Sequence, residues 1–288
     1  MKAPAVSYAR PESLSEAFAL LAEHGESAQI LAGGQSLVPM LNLRLAQPEW
    51  LIDITRIPGL NGITVNDGIV RIGALTTHRE IEHSLLIARH APLLAKAVPH
   101  VAHVAIRNSG TLGGSVALAD PAAEYPACLL ALDALIVLAS SSGERRVSAV
   151  DFFQGLYATA ILAGELVSAV EFTASKPGQV FAFAELARRQ GDYAMVGLAA
   201  AARRDGIGSS ARLSELRLAF LGAGPTPMLA QQAASRVMNQ ALGQSVVLAA
   251  QNALDDELAP LDDLNAKAAT KLHLAKVLLA RVLRELAE

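Results

Sequence analysis

Two glycine pairs constrain this chain more than any other feature. The segments Leu31-Ala32-Gly33-Gly34-Gln35-Ser36 and Gly110-Thr111-Leu112-Gly113-Gly114-Ser115 close in nearly the same way, about 80 residues apart. Glycine reaches positive φ and lets the main chain approach a ligand closely, so a Gly-Gly turn can aim several backbone N–H groups at one anion. Two such turns together predict a pyrophosphate held between them, with the hydroxyls of Ser36, Thr111 and Ser115 as further donors. Taken singly, each is equally a tight turn in a chain with 21 glycines. The order Gly-x-x-Gly-Gly differs from the Gly-x-Gly-x-x-Gly of a Rossmann dinucleotide site, which argues against a nicotinamide dehydrogenase.

Other chemistries lack their residues. There is no Gly-x-Ser-x-Gly, His-Glu-x-x-His or phosphate loop ending in Gly-Lys-Ser, so hydrolase, zinc protease and NTPase readings have no support. His100 and His103 have helical i, i+3 spacing but no third ligand nearby, which favours a structural role over a metal site. The single cysteine, Cys128, lies among apolar residues and reads as a buried thiol. An iron–sulfur cluster normally takes four thiolates, so this chain cannot hold one alone. The net charge of −3 is spread without basic clusters, which sets nucleic acid aside. The most apolar windows, Ala127 to Ala139 and Tyr193 to Ala202, are interrupted or too short to span a bilayer, and the N-terminus has no signal-peptide core, so the expected location is the cytoplasm.

Periodicity supplies an outline. Ser13-Leu14-Ser15-Glu16 has the capping-box pattern and predicts a helix of about 11 residues stopped by Gly25. Strands over Gln29 to Leu31 and Trp50 to Ile54 complete a small α/β subdomain, 1 to about 56. A hairpin at 63–72 turns on Asn66-Asp67-Gly68, Thr77 to Glu80 repeats the capping-box spacing, and Pro92 starts a helix. Pro121 to Asp133 should be helical, followed by strands at Leu135 to Leu138, Arg145 to Ser148 and Glu165 to Phe172. Ser175-Lys176-Pro177-Gly178 marks a boundary, giving domains 1–176 (subdomains about 1–56 and 57–176) and 177–288. The second domain shows three strand-like runs, then helices near 228–239, 243–256 and 265–286. That order predicts an α+β domain, a three-stranded antiparallel sheet covered by three helices.

The two glycine turns, the segment Asp120-Pro121-Ala122-Ala123-Glu124-Tyr125-Pro126 and the later Arg188-Arg189-Gln190-Gly191-Asp192-Tyr193-Ala194 resemble, in order, the FAD-binding medium subunit of the molybdenum hydroxylases. That family includes carbon monoxide dehydrogenase, xanthine dehydrogenase and bacterial N-heterocycle hydroxylases. The resemblance spans the whole chain and implies an α+β fold with a two-lobed FAD-binding domain of the vanillyl-alcohol-oxidase/PCMH type. It implies flavin contacts at Ala32, Gly33, Gly34, Gln35, Ser36, Thr111, Leu112, Gly113, Gly114 and Ser115. Glu124 matches a position near ribityl or ribose hydroxyls, although a carboxylate at a helix N-terminus explains it equally. Leu166 matches a position bordering the flavin, with an ordinary strand-core leucine as the alternative. Tyr193 resembles the residue that covers one face of the isoalloxazine ring, with a core aromatic as the alternative. Some relatives place a lysine near the flavin where this chain has Ala184-Glu185, leaving Arg188 or Arg189 to balance a reduced flavin.

As partners the resemblance implies a small subunit with two [2Fe-2S] clusters and a large molybdopterin-molybdenum subunit, assembled as a dimer of heterotrimers. An external acceptor takes the electrons. The substrate is expected to be an N-heteroaromatic, with carbon monoxide or an aldehyde as alternatives. A stand-alone FAD oxidoreductase and a flavin-free assembly module are the rival readings.

Overall fold

Ser13 caps the first helix: its hydroxyl accepts from the Glu16 N–H at 3.2 Å, while Glu16 Oε2 reaches back to the Glu12 N–H at 2.9 Å. In the computed structural model, which describes residues 2–288, this lobe holds β1 (Ser7–Ala9), α1 (Leu14–His24), β2 (Ala28–Leu31), α2 (Leu37–Asn42) and β3 (Trp50–Asp53). Gly25, at φ 52°, ends α1 by donating its N–H to the Leu21 carbonyl. The three strands form a parallel sheet in the order β1-β3-β2. Ala17, Ile52, Ile54, Ile57, Leu60 and Leu75 form its core.

The second lobe begins with β4 (Ile63–Asn66) and β5 (Ile69–Gly73), joined through Asp67 and Gly68, both at positive φ as a two-residue hairpin turn requires. Five short helices follow: α3 (His78–His83), α4 (Leu85–His90), α5 (Pro92–Ala97), α6 (Val104–Arg107) and α7 (Leu112–Leu118). Then come α8 (Glu124–Ala131), β6 (Leu135–Ser140), β7 (Gly143–Ser148), α9 (Ala149–Phe152), β8 (Phe153–Gly155), β9 (Ala158–Thr159) and β10 (Leu166–Thr173). The main sheet is antiparallel in the order β4-β5-β10-β6-β7. The expected helix over Pro121 to Asp133 is shorter than predicted. Asp120 accepts the Ala122 N–H through its side chain and the Ala123 N–H through its carbonyl, so the chain turns before entering α8 at Glu124.

The third unit runs through β11 (Gln179–Leu186), β12 (Val196–Asp205), β13 (Arg212–Leu221), β14 (Met228–Leu229), α10 (Gln231–Val237), α11 (Gln244–Glu257) and α12 (Ala268–Ala287). Its antiparallel sheet has four strands, not the three expected: β14 is only two residues long and pairs Leu229 with Ala219 and Met228 with Phe220. Pro227 precedes it, and so short a run carries no alternation to read.

Both faces of this sheet are buried. Leu198, Ala200, Ala202, Leu218 and Phe220 face α10 to α12, whereas Phe183, Ala199, Ala219 and Leu221 join the core of the second lobe. The period of two along β12 and β13 therefore serves two cores at once. Helix α8 is buried from Tyr125 to Ala131. Its Leu130 carbonyl accepts two N–H groups of Arg217 on β13, at 3.0 and 2.9 Å, and the Gly222 N–H bonds the Pro121 carbonyl at 2.8 Å. Among the described residues no helix is long and apolar enough to cross a membrane.

Candidate functional site

The first glycine turn connects β2 to α2. Gly34 lies at φ 71°, and Gly33 sits directly on the second segment: a Cβ there would overlap the Ser109 carbonyl and come within 2.9 Å of Gly110 Cα. The two distant turns thus touch main chain to main chain. Gln35 Nε2 donates to the Gly33 carbonyl at 3.0 Å, and Ser36 occupies the N-cap of α2 with its hydroxyl unused as a cap. Among the described residues, the N–H groups of Gly33, Gly34, Gln35 and Ser36 make no hydrogen bond within the chain. Unpaired amides on neighbouring residues are what an anion-binding turn presents.

The second turn is built differently from the expectation. Thr111 is the N-cap of α7, and Leu112, Gly113 and Gly114 form its first turn. The amides expected to face a phosphate are engaged by the protein: Leu112 N–H donates to the Thr76 carbonyl at 3.0 Å, Gly113 N–H to the Ala74 carbonyl at 2.8 Å, and Gly114 N–H to Thr111 Oγ1 at 3.1 Å. Gly113 is a glycine because α7 packs against β5's end: a Cβ would fall 2.7 Å from Ala74 Cα. From this side the donors left over among the described residues are the hydroxyls of Thr111 and Ser115 and the Thr111 N–H.

His78 props this arrangement from beneath. Its N–H donates to the Gly110 carbonyl at 2.9 Å, and its ring is so close that a Cβ on Gly110 would meet Nε2 at 2.7 Å. The imidazole is buried beside the Tyr125 ring (centroids 5.3 Å apart), and neither His78 Nδ1 nor the Tyr125 hydroxyl has a partner among the described residues. Burial, reinforced by the nearby Arg107 cation, lowers its pKa from 6.5 to about 4, so His78 is neutral at physiological pH. Arg107 is itself buried, paired with Glu82 at 3.0 Å and bonded to the carbonyls of Val101 and Ala102.

Carboxylates and tyrosines gather where α8 meets the third unit. Glu124 opens α8; burial, then the charge of Glu185, pushes its carboxyl up to about 8. The Glu185 side chain is 6% exposed with Oε2 unpartnered among the described residues, and His100 Nδ1 lies 3.4 Å from its other oxygen. That contact raises the His100 pKa. Asp120 is buried, and Tyr157 donates its hydroxyl to Asp120 Oδ2 at 3.5 Å. Tyr193 is 62% exposed, and partial desolvation, then the charges of Asp120 and Glu124, raises its pKa.

Two expected positions change character. Leu166 is 2% exposed and packs with Phe18 and Ala139, so its side chain belongs to the seam between the first two lobes. His100 and His103 do not share a helix: a 3₁₀ turn ends at His100, Ala102 takes positive φ, and His103 begins α6. His100 meets Glu185, and the His103 ring seats Gly191, whose added Cβ would collide with it. Among the described residues no group of three or more His, Cys, Asp or Glu could hold a metal. His78 and Tyr157 went unnoticed in the sequence, and Glu185 was marked only as standing beside Ala184 where some relatives have a lysine.

An α+β frame with two lobes joined at paired glycine turns and a two-faced sheet behind them defines a flavoprotein class. The chain belongs to the family of FAD-binding domains in molybdopterin dehydrogenases: residues 4–173 match that family, and residues 181–286 match the carbon monoxide dehydrogenase flavoprotein C-terminal domain. It is a medium-subunit oxidoreductase of the molybdenum hydroxylases. It is 38% identical over 283 residues to the 6-hydroxypseudooxynicotine dehydrogenase complex subunit alpha of Paenarthrobacter nicotinovorans, covering 98% of this chain and 95% of that one. A carbon monoxide dehydrogenase chain from Hydrogenophaga pseudoflava superposes with a TM-score of 0.95 at 37% identity, covering 99% of this chain and 98% of that one. Quinoline 2-oxidoreductase from Pseudomonas putida 86 gives a TM-score of 0.92 at 38% identity, with 100% and 98% covered.

Proposed function

We propose that this chain is the electron-transfer subunit of a heteromeric molybdenum hydroxylase, taking electrons from [2Fe-2S] clusters in a small partner subunit and passing them to an external acceptor. The observation that carries the reading is the main-chain contact of the two glycine turns, with four unpaired amides on one side. Those of Gly33, Gly34, Gln35 and Ser36 would hold the FAD pyrophosphate, with Thr111 and Ser115 closing it from α7. Ala32, Leu112, Gly113 and Gly114 shape the cleft through their backbone. Glu124, as an acid carrying its proton at neutral pH, would donate to a ribityl or ribose oxygen. Tyr193 would cover the ring, and Leu166 is left as packing. Bound flavin supplies a carrier that accepts electrons singly and releases them singly or in pairs.

The same reading divides the chain at 176/177, places it in the cytoplasm in a dimer of heterotrimers, and puts substrate hydroxylation at molybdopterin in the large subunit. An N-heteroaromatic substrate is favoured, because two of the three relatives described above are named for quinoline and a nicotine derivative. The test is purification of the native complex, with its visible spectrum and subunit masses. Flavin plus iron–sulfur bands and two companion chains are expected. A lone yellow protein that turns over an organic substrate would refute the electron-transfer role.

A further inference from the structure

The hairpin of β8 and β9 breaks a local rule. Gly155 pairs with Ala158, leaving Leu156 and Tyr157 as a two-residue loop, and Tyr157 sits at φ 54°. That position is the province of glycine or asparagine, and for a bulky side chain it is a strained one. Among the described residues eight non-glycine positions have positive φ, and Tyr157 is the only aromatic one, which sets it apart from the turn-forming Asp67 and Asn239. The strain buries little of the ring in return, since Tyr157 remains 56% exposed. What it produces is placement: the hydroxyl is tethered to the buried Asp120, on the side of the molecule where Tyr193 bears on the phenol's ionisation. Strained backbone that displays a large aromatic ring beside another exposed ring is a departure expected at a ligand contact.

We propose that Tyr157 is a second aromatic contact for the planar ring system that Tyr193 covers, held in position by Asp120. The inference rests on the flavin reading given above and adds a residue to it. A planar heteroaromatic gains from two edge or face contacts more than from one, and each such pair contributes the equivalent of about three- to ten-fold in affinity.

The variant Tyr157→Gly separates placement from folding, because glycine relieves the left-handed strain while removing the ring. In the native complex, stripped of flavin and titrated with FAD, Tyr157→Gly should bind about three- to ten-fold more weakly, with the bound flavin's emission increased and the thermal midpoint of the isolated chain no lower than wild type. Tyr157→Phe, which keeps the ring, should stay within about two-fold of wild type. Wild-type affinity and emission in Tyr157→Gly would overturn the proposal. So would a variant complex that loses a companion subunit at unchanged FAD affinity, since the hairpin tip would then be a docking surface. A wild-type complex that takes up no flavin would bring down the underlying reading with it.

Discussion

Acid should loosen this protein at the second glycine turn, through His78. The folded imidazole is neutral, its pKa lowered from 6.5 to about 4 by burial and by Arg107. An unfolded imidazole takes up a proton below pH 6.5, so the unfolded state binds the extra proton between those values. The His78 contribution to stability is therefore whole above pH 6.5 and lost as the pH falls towards 4. At about 1.4 kcal/mol per unit, the loss by pH 4.5 is about 2–3 kcal/mol. The wild-type curve alone does not isolate it, because Glu124 acts in the opposite sense over part of the same range. The diagnostic quantity is the difference between wild type and His78→Leu, which cannot titrate and fills the space against Tyr125. Urea midpoints of the full-length chain at pH 7.5, 5.5 and 4.5 should show the variant gaining on wild type by that amount as acid is added. Parallel pH profiles would refute the assignment of a buried neutral His78. Because the folded ring keeps no proton until about pH 4, His78 should leave FAD affinity unchanged over this window and weaken it only near pH 4, in wild type and not in the variant.

Glu124→Gln should remove the opposite dependence. With a folded pKa near 8 against an ordinary 4.5, wild-type stability declines as pH rises between those values, so the variant should be more stable at pH 8.5, by ~5 kcal/mol at most, and nearly equal at pH 4.5 in thermal melts. Gly33→Ala forces the two turns apart at the Ser109 carbonyl; a loss of about 1–3 kcal/mol and of most bound flavin is expected, read by denaturation and by visible absorbance. Tyr193→Ala should leave the unfolding free energy within about 0.5 kcal/mol of wild type, since the ring is mostly exposed, while weakening FAD about three- to ten-fold by fluorescence titration.

How much of this could be read from the sequence depended on how local the cause was. Ser13 and Gly25 bracket α1 by contacts within a few residues, and Asp67-Gly68 sets its hairpin in the same way. The family motifs located both glycine turns. What stayed hidden was set by distant neighbours. The pair Gly113-Gly114 lies inside a helix, against its propensity, because Ala74 requires the close approach. The helix α2, with Pro39 in its first turn, had no cap signal, since the Ser36 hydroxyl makes no cap bond. His78 looked like an ordinary first-turn residue beside Thr77, and only the fold buries it under Gly110. Glu185 stood out only as lying beside Ala184 where some relatives have a lysine, and its contact with His100 crosses between units.

The asymmetry between the two turns has a consequence for how a ligand would be received. The half that belongs to α7 is locked to Ala74 and Thr76 before anything arrives, so its geometry is inherited from the second lobe. The half between β2 and α2 has amides without partners among the described residues, left for an anion to take. Position and grip are thereby assigned to different lobes: repacking around Ala74 would move the seat, while changes near Gly33 would alter how firmly it is held.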